Sequence, residues 1–91
     1  MDVEILGTNL SGFVYLGNLR APAIWSHADG MVVVQLKTVD LTTANLIELR
    51  QLRSSRRPLP IGIPGNKKYR GSIIGFEHDP DGFTLHIARA A

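Results

Sequence analysis

Only one stretch of this chain carries helical periodicity, and everything on either side of it is written in strand-length apolar runs broken by glycine-rich turns. Leu46, Leu49 and Leu52 fall within a ~120° arc at ~100° per residue, with Leu41 beside it if the helix begins that early. Asp40, Thr42 and Thr43 are each candidates to cap the amino end; Asp40 is preferred, because it stands where the preceding strand pattern stops. Arg50 and Arg53 lie towards the carboxyl end, where the helix dipole favours cations. Pro58 cannot continue a helix, so this one is expected to finish near Ser54 or Ser55.

Before the helix, Val3 to Leu6 and Phe13 to Leu16 are short apolar runs separated by Gly7, Asn9, Ser11 and Gly12, residues that suit turns. Ala23 to Ser26 forms a third run, and Asp29-Gly30 supplies the positive φ of a tight hairpin leading into Met31 to Val39. There Val32, Val34 and Leu36 alternate with Val33, Gln35 and Lys37, the pattern of a strand with one buried face. Trp25 and Met31 flank this hairpin and are expected in the core.

After the helix, Leu59, Ile61 and Ile63 alternate with Pro60, Gly62 and Pro64, which predicts an edge strand or an extended strap. A hairpin-like return at Pro64-Gly65-Asn66 is expected to bring Arg56 and Arg57 together with Lys67 and Lys68 at one end of the fold. Tyr69 to Phe76 and Phe83 to Ala88 flank Asp79-Pro80-Asp81-Gly82, a strong turn sequence, and Phe83, Leu85 and Ile87 share a face. Gly71 and Gly75 inside a strand predict a bulge or a coil that curves the sheet.

Strands that are not interleaved with crossover helices exclude a doubly wound parallel sheet. The expectation is one α+β domain over residues 1–91, a small and mostly antiparallel β-sandwich or partly closed barrel with a single α-helix plugging one side or end. Hydrophobic residues at 44% and charged residues at 20% exclude a disordered chain. No long apolar run or basic leader is present, so the chain reads as soluble and cytosolic, with no membrane partner. Without cysteine there is no disulfide framework, thiolate zinc site or thiol nucleophile.

Catalytic chemistry is poorly provided for. His27, His78 and His86 lack the helical spacing of zinc enzymes, and His78 is expected in a turn. Ser26 and His27 are adjacent on a strand and point to opposite faces, which removes a triad reading with Asp29. His86 alternates with Leu85 and Ile87 and so faces solvent. Asp79 and Asp81 lack the further oxygens of a calcium loop, and no glycine-rich phosphate loop precedes a helix. The expectation is a protein that is not an enzyme and has no cofactor and no metal.

The informative feature is where the charge lies. Residues 50–70 hold seven of the ten basic residues and no acid, whereas residues 1–49 and 71–91 are each net negative. Arg50, Arg53, Arg56, Arg57, Lys67, Lys68 and Arg70, with Tyr69 available for stacking, are the candidate site, facing either an acidic protein surface or phosphate.

Leu46-Ile47-Glu48-Leu49-Arg50-Gln51-Leu52-Arg53, then Arg57-Pro58-Leu59-Pro60-Ile61, then Tyr69 to Glu77 and Phe83 to Ile87, resemble small tail and baseplate proteins of tailed bacteriophages. In those families a β-sandwich packs one helix, an R-P-x-P-hydrophobic strand follows, and a final hairpin closes the sheet. The resemblance covers about residues 40–88. It implies a structural subunit of a virion, of tail, baseplate or connector type, assembled in the bacterial host cytoplasm. Such a subunit acts through sheet augmentation and charge-complementary contact with other virion proteins or copies of itself. The alternative is a small nucleic-acid-binding β-barrel that uses the basic segment 50–70.

Overall fold

The computed structural model describes residues 10–28, 30–54, 57–65 and 67–89. The expected strand at Val3 to Leu6, Asp29 of the hairpin turn, and Arg56 lie outside the described residues. In chain order the elements are β1 (Leu10–Leu16), β2 (Leu19–Ala28), β3 (Met31–Lys37), a 3-10 turn (Thr38–Asp40), α1 (Thr43–Ser54), β4 (Leu59–Gly62), β5 (Tyr69–Asp79) and β6 (Gly82–Arg89). All strand pairs are antiparallel, and the sheet closes on itself in the order β1-β2-β3-β6-β5-β4. Of the two expected architectures, the molecule adopts the barrel.

Alternation fills its interior. Val14 and Leu16 of β1, Ala21, Ala23 and Trp25 of β2, Val32, Val34 and Leu36 of β3, and Leu85 and Ile87 of β6 are buried. In each case the buried residues are two apart, so one parity of each strand fills the barrel and the other faces out. The β5–β6 pairing slips by one residue between Ile73 and Gly75, leaving Ile74 as the extra residue of a bulge next to the predicted glycine. Ile74 is accordingly 60% exposed.

The strand carrying alternate prolines is not an edge. β4 pairs on both sides, at Tyr15↔Gly62 and Leu16↔Ile61 with β1 and at Leu59↔Gly71, Pro60↔Arg70 and Ile61↔Tyr69 with β5. Closure succeeds because the double pairing is short and the Pro60 carbonyl still accepts from the Gly17 amide at 2.9 Å. Pro22 lies inside β2 for a related reason: it stands opposite Phe13 in the part of β2 that pairs with β1 alone. The two-residue loop between Leu16 and Leu19 makes Phe13↔Pro22 a non-hydrogen-bonded pair, so the proline nitrogen turns away from β1 and takes no bond from the ladder.

One expectation for the helix needs correction. Thr42, not Asp40, caps it: the Thr42 hydroxyl accepts from the Asn45 amide at 3.1 Å, while Asp40 sits in the 3-10 turn after β3. That turn spends three residues reversing the chain, which moves the cap two positions along. Leu49 and Leu52 are buried, but Leu46, one turn earlier, remains 37% exposed. The helix lies against the barrel only through its second half, and it ends at Ser54 as Pro58 requires.

Candidate nucleic-acid interface

The barrel distributes the basic segment over separate surfaces. Arg50 and Arg53 are exposed on α1, where the Arg53 guanidinium stands 5.8 Å from the centre of the Phe76 ring. Arg57 is exposed ahead of β4, and close by the Arg70 guanidinium donates to the Pro58 carbonyl at 3.1 Å. Lys67 and Lys68 are exposed ahead of β5. The expected meeting of Arg57 with Lys67 and Lys68 does not occur. β4 and β5 are antiparallel with Leu59 opposite Gly71 and Ile61 opposite Tyr69, so residues before Leu59 and residues before Tyr69 leave from opposite ends of the pair.

Tyr69 is half-buried against the core, and the Arg89 guanidinium covers its ring at 4.6 Å. Burial pushes its hydroxyl above the usual value near 10, against the opposing pull of Arg89. The rings presented to solvent lie elsewhere, on β1. Val14 and Leu16 take the inner parity, which leaves Phe13 and Tyr15 on the outer face at 45% and 46% exposure. Arg20, paired with Tyr15 across the β1–β2 hairpin, lays its guanidinium over the Phe13 ring, 4.3 Å from its centre, and reaches the hydroxyl edge of Tyr15, 5.6 Å from that ring's centre. Its Nε donates to the Tyr15 hydroxyl at 2.8 Å, which ties the three groups into one platform.

A depression of about 170 Å³ opens beside the platform, walled by Phe13, Tyr15, Pro64 and Lys68 over Gly62. A side chain at Gly62 would stand 3.3 Å from the Tyr15 β-carbon, so glycine keeps this floor low. The volume is below the ~300–1,000 Å³ of clefts that take whole small-molecule ligands, and suits one ring of something longer. Among the described residues β1, β2 and β4 carry no acid; Asp40, Glu48, Glu77 and Asp79 belong to other elements and Asp81 to the turn between β5 and β6.

Sequence reasoning missed Phe13, Tyr15 and Arg20. Phe13 to Leu16 is apolar at both parities, so alternation alone does not say which parity faces water. Arg20 lies outside the basic segment and gains its role only from hairpin register. The histidines are dispersed: His27 is exposed on β2, and His86 is 3.8 Å from the Glu77 carboxylate. His78 lies within β5 rather than in a turn, its ring stacked on Phe83 at 4.4 Å. Asp79 continues the strand past it and closes the turn by accepting from the Asp81 and Gly82 amides at 2.8 and 2.9 Å. Among the described residues no group of three or more His, Asp or Glu converges as metal ligands would. Comparison with protein-family models, curated proteins and solved structures gives no match.

Proposed function

We propose that this chain is a binding module that holds single-stranded nucleic acid across the outer face of β1. The observation that carries the reading is the Phe13–Arg20–Tyr15 platform: two half-exposed rings tied together by one guanidinium, with Lys68 beside a glycine-floored depression. Bases stack on aromatic faces and on guanidinium planes whatever their sequence, and Arg20, Lys67 and Lys68 supply the cations that follow the backbone.

The test is fluorescence anisotropy with a labelled oligothymidylate and a mixed-sequence RNA. Stacking is worth ~1–3 kcal/mol per base, so F13A and Y15A should each weaken binding roughly 5- to 150-fold. With three cations engaged, the salt dependence of log affinity should have a slope of about −2, reduced by about 0.7 in K68Q. Absence of binding at low salt, or equal binding by F13A and Y15A, refutes the reading.

A second reading keeps the resemblance to tail and baseplate proteins: a structural subunit of a virion that meets other virion proteins or copies of itself. The apolar side chains left outside the barrel favour it, with Ile47 54% and Ile74 60% exposed. Multi-angle light scattering separates the two. A ring-sized mass that I74E reduces to a monomer supports the subunit; a monomer in both rejects self-assembly.

A further inference from the structure

A cleft of about 380 Å³ opens between α1, from Leu46 to Arg53, and the β5–β6 hairpin. Its floor is apolar, made by Leu46, Leu49, Phe76 and Phe83. Phe76 and Phe83 meet edge to face with centres 5.8 Å apart, and the His78 ring lies nearly parallel to Phe83, inclined by 10°. Arg50 and Arg53 form the helix side of the rim, and no acidic side chain among the described residues lines the cleft.

From this arrangement we infer that the cleft is a binding site for a small organic carboxylate with an aromatic or short aliphatic body. The volume lies within the ~300–1,000 Å³ range of small-molecule sites, unlike the depression beside Tyr15. Arg50 and Arg53 are three residues apart on one helical face, where like charges repel. An anion between them relieves that repulsion, and a carboxylate matches the guanidinium fork with paired N–H donors. The Phe76–Phe83–His78 cluster offers ring edges and faces to the body of the ligand. Leu46 keeps its partial exposure here because it forms part of the cleft floor, and a bound body completes its burial.

The site is independent of the platform on β1, and the experiment keeps the two apart. The 91-residue chain, labelled with 15N, is titrated with 4-phenylbutyrate and followed by amide chemical shifts. Leu46, Arg53, Phe76, His78 and Phe83 should shift together along one saturating curve. The uncharged analogue 4-phenylbutanol should bind at least tenfold more weakly. R50Q/R53Q should lose at least tenfold in affinity for the carboxylate with the rest of its spectrum unchanged, and L46W should block the site by filling it. R50Q/R53Q should bind oligothymidylate within twofold of the parent, and F13A/Y15A should bind 4-phenylbutyrate within twofold. Absence of a saturable shift at millimolar ligand, equal affinity for the alcohol, undiminished binding in R50Q/R53Q, or shifts centred elsewhere would overturn the inference. Saturation by a peptide rich in Glu and Leu, with none by 4-phenylbutyrate, would also overturn it and make the cleft a protein-docking groove.

Discussion

Removing Leu49 tests how the helix is fastened to the barrel. Leu49 is 1% exposed and, with Leu52, is one of two fully packed side chains on α1. Truncating such a leucine costs ~2–5 kcal/mol, the transfer of its lost methyl groups plus the cavity left behind. A chain of 91 residues has about 5–14 kcal/mol in total at ~0.05–0.15 kcal/mol per residue, so L49A removes a large fraction. Leu46, 37% exposed on the same stripe, leaves no enclosed cavity, and L46A should cost about 1 kcal/mol. Urea titration reads both through Trp25, the single tryptophan, which is 2% exposed inside the barrel. At an m of ~1.5 kcal/mol/M the L49A midpoint should fall by roughly 1.3–3.3 M, with m unchanged. Equal shifts for L46A and L49A, or an unmoved L49A midpoint, would refute the packing given for the helix.

Three further outcomes follow from local geometry. T42A should lose about 0.5–2 kcal/mol through the missing cap, while D40A stays within about 0.5 kcal/mol; the reverse order in thermal melts would return the cap to Asp40. In G71A the new methyl would stand 2.9 Å from Ile87 Cγ2 and 3.1 Å from the Ala88 carbonyl oxygen, so overpacking should cost about 1–3 kcal/mol in the same urea assay, and an unchanged midpoint would show that β5 can shift. Tyr69 carries a pH dependence: its folded-state value is raised, so its contribution to stability is full below the unfolded value near 10 and is lost as pH rises through the folded one. Y69F should therefore flatten the fall in urea midpoint between about pH 9 and 11, and an identical fall in parent and variant would exclude Tyr69 as its source.

Where alternation is clean, local chemistry is enough to determine structure. Val32, Val34 and Leu36 face inward because only one parity of that strand is wholly apolar, and Leu85 and Ile87 follow the same rule against Thr84 and His86. Pro58 ends the helix, and Gly75 of β5 marks a bulge, because a missing N–H and a missing Cβ act within a few residues. The sequence likewise sets the concentration of cations in residues 50–70, since charge is a property of composition. Where those cations point is decided by long-range pairing. The register of β4 on β5 sends Arg57 and Lys68 in opposite directions, and the register of β1 on β2 brings Arg20 over Phe13 and Tyr15. Closure of the barrel through β4 also depends on partners, because a proline-bearing strand reads as an edge until its register with β1 and β5 shows which of its amides the ladders need. Leu46, Leu49 and Leu52 share one helical stripe by sequence, yet only the docking of the helix onto the barrel leaves Leu46 open to the cleft. These features rest on contacts between residues far apart in the chain, and periodicity within a single segment carries no information about them.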